Sequence, residues 1–336
     1  MTKRVVIGIS GGVDSAVSAF LLKEKGYEAI GLTFILIEEQ DLTNARKVAQ
    51  KLGINLIEKN LISTFKEKVI NPFLKEYSLG RTPNPCALCN KYIKFPELYK
   101  EASRLGADKI ATGHYAITRE KPFGLFKGRD PHKDQSYFLS LVEKKYLKKT
   151  IFPVGEFTKE EIKNLARKIG IDKFVSFKGS QDVCFIREGL KNFIRKKLGN
   201  KLKKGVIKDT SGEKLGEHDG ISFYTIGQRR RLNIATGKRR YIVKIDSIKN
   251  EIIVGDLKDL LKDRFMVKEI NWLVPLEKSM EGEVKVRYHT PPSKAKFIFL
   301  NGTAEVLLHS PISAIAPGQI ATFYLNDQVI WGGIIA

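Results

Sequence analysis

The stretch Val5-Val6-Ile7-Gly8-Ile9-Ser10-Gly11-Gly12-Val13-Asp14-Ser15 constrains this chain more than any other: a short apolar run enters a glycine-rich turn, and a helical pattern begins at Asp14. Two adjacent glycines let backbone N–H groups curl inward at φ values other residues resist, and the next helix starts where its unpaired N–H groups favour an anion. The expectation is a phosphate cradle on a strand-to-helix turn. A Walker loop needs Gly-x-x-x-x-Gly-Lys-Ser/Thr. Here the lysine is missing and Asp14 stands at the helix start. A tight turn without a ligand is the plainer reading, but strand, glycines, acid and hydroxyls all fall in one register.

Downstream of this turn, apolar runs alternate with helical patterns: a helix from Asp14 to about Lys25, a strand Ala29 to Phe34, a helix Leu42 to Leu52 and a strand Ile54 to Glu58. A further helix from Thr64 to Tyr77 precedes the breaker-rich Gly80-Arg81-Thr82-Pro83-Asn84-Pro85, and a strand Lys109 to Thr112 ends in Gly113-His114-Tyr115. Such alternation predicts an α/β fold with a doubly wound parallel sheet, whose ligands bind at the carboxyl ends of the strands. Thr158-Lys159-Glu160-Glu161 reads as a capping box with a structural role. Near residue 200 helical periodicity fades into a basic, glycine-punctuated junction. Beyond it come short β-prone runs, among them Tyr241 to Ile245, Val284 to Tyr288 and Ile320 to Leu325. The expected organisation is a catalytic α/β domain over 1–200, a small β-rich domain over 201–262 and an antiparallel β-barrel over 263–336.

Lysine and arginine outnumber acids 59 to 37, a net charge of +22. A surplus of this size favours a polyanionic partner, and without a basic amphipathic helix bearing an aromatic face, nucleic acid is preferred to a membrane. No apolar run approaches the ~20 residues that span a bilayer, and no signal-peptide pattern is present, so the expected location is cytoplasmic.

Three cysteines remain to be explained: Cys86, Cys89 and Cys184. Cys86 and Cys89 form Cys-x-x-Cys directly after Pro83-Asn84-Pro85, at the expected start of a helix, where an N-terminus would lower a thiol pKa toward neutrality. Cys184 lies in Gly179-Ser180-Gln181-Asp182-Val183-Cys184-Phe185-Ile186. A zinc site would need a fourth ligand that the spacing does not supply, and a purely structural role is an odd use of Cys-x-x-Cys after two prolines. Sulfur chemistry fits better, in either of two forms. A thiolate and a persulfide-bearing cysteine can deliver sulfur and finish as a disulfide, or the three thiols can hold an iron–sulfur cluster with one iron open.

Taken together, Gly8 to Ser15, Gly80 to Phe95, Ala111-Thr112-Gly113-His114-Tyr115, Lys133 to Phe138, Phe152 to Glu156, Ser180 to Ile186, Gly216 to Gly220, Thr225 to Arg229, Val286-Arg287-Tyr288 and Ala316 to Gln319 resemble the bacterial tRNA-specific 2-thiouridylases. The resemblance runs through nearly the whole chain in unbroken order, and the phosphate loop resembles that of the ATP pyrophosphatases. It implies that ATP, with Mg, adenylates the 2-carbonyl oxygen of the wobble uridine in the tRNAs for Lys, Glu and Gln, and that sulfur then displaces AMP. It assigns Gly8, Ile9, Ser10, Gly11, Gly12, Val13, Asp14 and Ser15 to the ATP phosphates, with Phe34 and Gly113 beside the nucleotide. Cys89 matches the nucleophile and Cys184 the persulfide carrier. Asn84, Pro85 and Cys86 match the loop against the target base, while His114, Lys133, Asp134, Gln135, Arg287, Tyr288 and Gln319 match tRNA contacts. A persulfide-carrying donor protein is the implied partner. Two departures stand out: Cys86 replaces an aspartate common in the family, which raises the cluster reading, and the segment between Phe34 and Asn44 is short. An amide-forming ATP pyrophosphatase would share the loop without needing the cysteines. An RNA-binding adaptor would not need the loop.

Overall fold

The computed structural model describes residues 3–175, 183–232, 234–235, 237–313 and 315–336, with the Phe174 side chain left aside. Its first region opens with β1 (Arg4–Gly8), α1 (Val13–Glu24), β2 (Glu28–Ile35), α2 (Thr43–Leu52) and β3 (Asn55–Asn60). Two long interrupted helices follow. In the first, α3 (Ile62–Phe65) and α4 (Asn71–Ser78) flank a π-helical turn at Lys66–Ile70; in the second, α5 (Pro85–Cys89) and α6 (Phe95–Arg104) flank another at Asn90–Lys94. Then come β4 (Lys109–Ala111), the hairpin β5 (Ala116–Glu120) and β6 (Phe123–Lys127), the short α7 (Ser136–Leu139) and α8 (Lys144–Leu147), β7 (Thr150–Ile151), α9 (Lys159–Lys168) and α10 (Leu190–Leu198). The sheet order is β3-β2-β1-β4-β7, with every pairing parallel. Successive strands β1, β2 and β3 run out to one side, and β4 and β7 to the other. The order therefore reverses between β1 and β4, which is where such sheets open a crevice at their carboxyl ends. Val5, Val6 and Ile7 of β1 are wholly buried, as a strand covered on both faces requires.

The second sheet comprises β8 (Gly205–Asp209), β9 (Lys214–His218), β10 (Tyr241–Asp246) and β11 (Glu251–Gly255), in the order β10-β11-β8-β9. The third contains β12 (Lys262–Trp272), β13 (Ser279–Lys285), β14 (Ser293–Leu300), β15 (Thr303–Ile312), β16 (Ile320–Leu325) and β17 (Gln328–Ile335). Pairing of β12 with both β15 and β17 closes these six strands into a barrel. Phe297, Phe323 and Trp331, all fully buried, fill it.

The β5–β6 hairpin, which has no counterpart in the sequence reading, leaves the parallel sheet and pairs with β17, joining the first region to the barrel. Gly332 lies where a Cβ would stand 2.3 Å from Ser140 Oγ, so the glycine permits close seating of the barrel on the first region. The expectation of a strand from Val284 to Tyr288 is corrected: β13 ends at Lys285, and Arg287 and Tyr288 occupy the turn that follows. The chain must reverse there to reach antiparallel β14, and Pro291 and Pro292 provide no ladder donors.

Both tryptophans of the chain, Trp272 and Trp331, pack on Phe297, with ring centroids 5.7 and 5.6 Å away. Phe297→Ala should therefore lower barrel stability by about 3–5 kcal/mol, read as a lower urea midpoint in tryptophan fluorescence. An unchanged midpoint would contradict this account of the barrel core.

Candidate functional site

At the β1/β4 switch point lies a cavity of about 630 Å³. Its floor is Gly8 to Ser15, and its walls include Phe34, Asn44, Lys94, Gly113, His114, Gln135, Lys159, Cys184 and Arg187. The loop is shaped by close backbone approach. Gly11 has φ +78°, and a Cβ there would lie 2.9 Å from Asn44 Cβ. A Cβ on Gly113 would stand 2.7 Å from the Asp14 carbonyl carbon and the Ser15 nitrogen. Only glycine lets the loops after β1 and β4 touch in this way. Ser15 Oγ donates to Gly12 O at 2.9 Å and accepts from Ser10 N at 3.2 Å, which closes the turn. Phe34 lines the cavity and packs against two core clusters.

The acid of the loop is already engaged. Asp14 Oδ1 accepts from Lys159 Nζ at 2.6 Å and from Tyr115 OH at 2.7 Å. Lys159 is the first residue of α9, and its side chain is 13% exposed. The capping box holds as expected, with Glu161 N donating to Thr158 Oγ1 at 3.2 Å and Thr158 N to Glu161 Oε2 at 2.7 Å. Asp130 Oδ2 also accepts from Lys159 N at 2.9 Å. The sequence reading of this box as purely structural missed what it aims. The lysine absent from the loop arrives from a helix N-terminus far along the chain. Tyr115, Lys94, Asn44 and Arg187 were missed likewise: Tyr115 and Lys94 lie inside recognised motifs without a role of their own, and Arg187 directly follows one.

Asn84 caps α5, its side chain accepting from Ala87 N at 3.2 Å, with Pro85 in the first turn. Cys86 is exposed, whereas Cys89 is buried among Phe65, Phe73, Ile93 and Phe185. Phe185 meets Phe65 and Phe73 edge-on, at 5.7 and 5.3 Å between centroids. This contact anchors the exposed Cys184 beside the cluster that holds Cys89. All three thiols are free, and each of Cys86 and Cys89 feels the charge of Cys184. The expected lowering of the thiol pKa values is overturned. Burial raises all three, Cys89 to about 12, and Lys94 opposes the rise only in part. Desolvation outweighs what a five-residue helix terminus can offer. Gly179 to Asp182 lie outside the described residues.

His114 faces the cavity half-buried, its Nδ1 sharing a hydrogen bond with Thr112 Oγ1 at 2.8 Å. Burial, with Lys94 nearby, pushes its pKa down to about 3, so the ring is neutral. Gln135 lines the cavity and braces the neighbouring loop, accepting from Tyr115 N at 3.0 Å and donating its own N–H to Tyr115 O at 2.8 Å. Lys133 is exposed, but Asp134 is buried and accepts from Gly128 N, Ser136 N and Ser136 Oγ. Arg287 donates to Ile226 O at 3.0 Å, Tyr288 packs on Phe138 at 4.5 Å, and Gln319 Oε1 accepts from Tyr137 OH at 3.4 Å. These last three lie where the barrel meets the other two regions, outside the cavity.

Iodoacetamide, followed by peptide mapping across pH, should label Cys86 and Cys184 slowly at neutral pH and faster as alkali generates thiolate. Cys89 should resist labelling while the protein is native. Rapid labelling of Cys89 at neutral pH would refute its burial-raised pKa.

Three family models match in sequence: a tRNA methyl transferase HUP domain over 3–188, a tRNA methyl transferase PRC-barrel domain over 191–256 and an aminomethyltransferase β-barrel domain over 262–335. A tRNA-specific 2-thiouridylase MnmA of Clostridium perfringens is 41% identical over 353 residues, covering 99% of this chain and 98% of the relative. A second, from Clostridium botulinum strain Okra, is 40% identical over 355 residues, covering 100% and 99%. Among solved structures, a 4-thiouridine synthetase–RNA complex with bound ATP aligns with a TM-score of 0.37 and 20% identity, over 54% of this chain and 44% of that one. On the strength of the sequence matches along its whole length, the chain belongs to the tRNA-specific 2-thiouridylase family.

Proposed function

We propose that this protein is an ATP-dependent tRNA sulfurtransferase that converts the 2-carbonyl of a wobble uridine, in the tRNAs for Lys, Glu and Gln, into a thiocarbonyl. The observation carrying this reading is a single cavity that joins an anion-binding glycine loop to Cys184, with Cys89 held in the adjoining cluster. A uracil carbonyl is a poor electrophile, so its oxygen must first become a leaving group. Uridine O2 attacks the α-phosphorus of ATP, N3 loses its proton, and pyrophosphate departs. The loop N–H groups of Gly8 to Ser15 and the α1 N-terminus receive the phosphates. Lys159 can turn from Asp14 to the phosphates as they enter. That movement would free Asp14, the acid of the loop, to hold magnesium arriving with ATP.

Sulfur then attacks C2, and AMP leaves with the electron pair of the broken C2–O bond. In the persulfide form, the terminal sulfur of Cys184 makes the C2–S bond. Cys89 then attacks Cys184 Sγ, breaking the S–S bond to leave the thiouridine and a Cys89–Cys184 disulfide. A persulfide-carrying donor protein would reload Cys184. In the alternative form, hydrosulfide is the nucleophile. Among the described residues, no group of three or more His, Cys, Asp or Glu side chains is arranged to hold a metal ion. Cys86, Cys89 and Cys184 as placed do not fit an iron–sulfur cluster.

The tRNA surface is assigned to the exposed Lys133, the junction residues Arg287, Tyr288 and Gln319, and the exposed Arg229, Arg230, Arg231 and Arg239. Asn84, Pro85 and Cys86 present the loop that meets the base. Asp134 supports this surface from beneath by bracing Gly128 and Ser136. Among the described residues, no helix is long and apolar enough to cross a membrane, and a tRNA substrate is consistent with a cytoplasmic location.

The primary test is single-turnover incubation with ATP, magnesium and a tRNA bearing an unmodified wobble uridine, following pyrophosphate and thiouridine together. Both should appear only with that tRNA; pyrophosphate release driven by an amino acid instead would indicate the amide-forming class. With persulfide-loaded protein, Cys184→Ser should keep pyrophosphate release and lose thiouridine, and retained thiolation would refute the persulfide form. Gly113→Ala, which pushes on the Asp14–Ser15 backbone, should raise the KM for ATP at least tenfold while tRNA affinity stays within about twofold. An unchanged KM would remove the loop contact from the nucleotide site.

A further inference from the structure

We propose that Lys94 is a catalytic residue of the sulfur-transfer step, its ammonium standing opposite the negative charge that gathers on the incoming sulfur and the departing AMP. The inference rests on the thiolation reading above and adds a residue to it.

Among the described residues three cations line the cavity, and two are committed: Lys159 is paired with Asp14, and Arg187 donates to Glu39 O at 3.3 Å. Lys94 has no hydrogen-bond or ion-pair partner among the described residues, although it lines the same cavity as Cys184 and His114. It closes the π-helical turn Asn90–Lys94, which inserts an extra residue between the cysteine helix α5 and the buried Phe95. Such turns disturb helix packing and are often kept where a side chain must be aimed. The groups that feel its charge come from three separate parts of the chain: Cys86 and Cys89 on α5, His114 after β4, and Cys184. All four are neutral at rest. A cation set among neutral groups on the wall of a cavity has no counter-ion there, an arrangement that favours an anion when one forms.

The reaction supplies that anion. With hydrosulfide as the nucleophile, the C2–S bond forms, the C2–O bond breaks, and its electron pair leaves on the AMP oxygen. The S–H proton passes to N3 as the thiocarbonyl forms, and nothing is oxidised or reduced. Formation of the adenylate, by contrast, concentrates charge on pyrophosphate at the loop, where Lys159 and the α1 N-terminus lie. Lys94 should therefore divide the two half-reactions.

The test compares wild-type protein, Lys94→Met and Lys94→Arg in single turnovers with ATP, magnesium, wobble-uridine tRNA and sodium hydrosulfide as sulfur source. Pyrophosphate is followed alongside thiouridine, the latter by retardation in a mercury-containing gel. Lys94→Met should keep the pyrophosphate burst within about twofold and slow thiouridine formation by about 10²- to 10³-fold, the range for removing one preorganised charge-stabilising contact. Lys94→Arg should recover most of the loss. Parallel loss of pyrophosphate and thiouridine in Lys94→Met would overturn the proposal by placing the lysine in adenylation or in folding. Unimpaired thiolation would overturn it as well, and so would an arginine variant as slow as methionine. Wild-type protein that produces neither product with this tRNA would instead refute the thiolation reading itself.

Discussion

The contact on which the rest of the site depends is backbone against backbone: the loop after β4 touches the loop after β1 at Gly113, where a Cβ would sit 2.7 Å from the Asp14–Ser15 peptide. That approach follows from strand order. Because β1 and β4 are neighbours whose connections diverge, no crossover covers their carboxyl ends, and both loops open into the same crevice. The glycine loop alone would be an anion site on a surface. Gly113 narrows it into a cavity, and Tyr115, two residues on, reaches Asp14 from the same wall. Each further chemical group arrives on an element already constrained by that crevice: Lys159 by its capping box and Asp130, Lys94 by a π-helical turn, and Cys184 through the anchoring of Phe185.

Much of this architecture is legible locally. The glycine loop declares itself because strand end, φ-permissive residues and helix start lie within one short stretch, and the capping box does so because both of its hydrogen bonds span three residues. The alternation of strands and helices yields the parallel sheet for the same reason. Harder to see is any residue whose partner is remote. The capping pattern accounts fully for Thr158 and Glu161, which leaves Lys159 looking like an exposed helix residue. Only the fold brings it to Asp14. The β5–β6 hairpin is similarly hidden, since its partner β17 is encoded near the opposite end of the chain. Gly332 and Gly333 interrupt the apolar pattern of β17 because they accommodate Ser140 and Val267, a tertiary demand with no periodic signature.

The cysteines show a local rule giving the wrong sign. A helix N-terminus does favour a thiolate, by about 0.3–1 kcal/mol. Moving Cys89 from an ordinary thiol value of 9.0 to about 12 disfavours its thiolate by about 4 kcal/mol. The larger effect comes from Phe65, Phe73 and Phe185, two of which precede the motif and one of which follows it by much of the domain. A thiol protected in this way is protonated and inert until its surroundings change. That suits the role we propose for Cys89, which is needed only after Cys184 has delivered its sulfur, with the Lys94 ammonium as the nearby charge that favours its thiolate.

The barrel, finally, is tied to the reactive loop rather than merely attached to the catalytic region. Thr82 N donates to Pro317 O at 2.8 Å, and Gly318 leaves room for Arg81 and Thr82, so the strap before Cys86 rests on the barrel. On its other side, Gly80 packs against Ile245 of the central sheet, and Thr82 Oγ1 donates to Thr225 Oγ1 at 3.3 Å. Tyr137 completes the junction, its hydroxyl bonded to Ile320 O at 3.0 Å and its ring near Tyr288. The loop bearing Asn84, Pro85 and Cys86 is thus wedged between three regions, and its position depends on how they sit together. A polyanion bound across the basic central region and the barrel must bear on that wedge. On the reading we propose, substrate docking and the placing of the base beside the thiols are thereby coupled, although among the described residues no barrel residue lines the cavity.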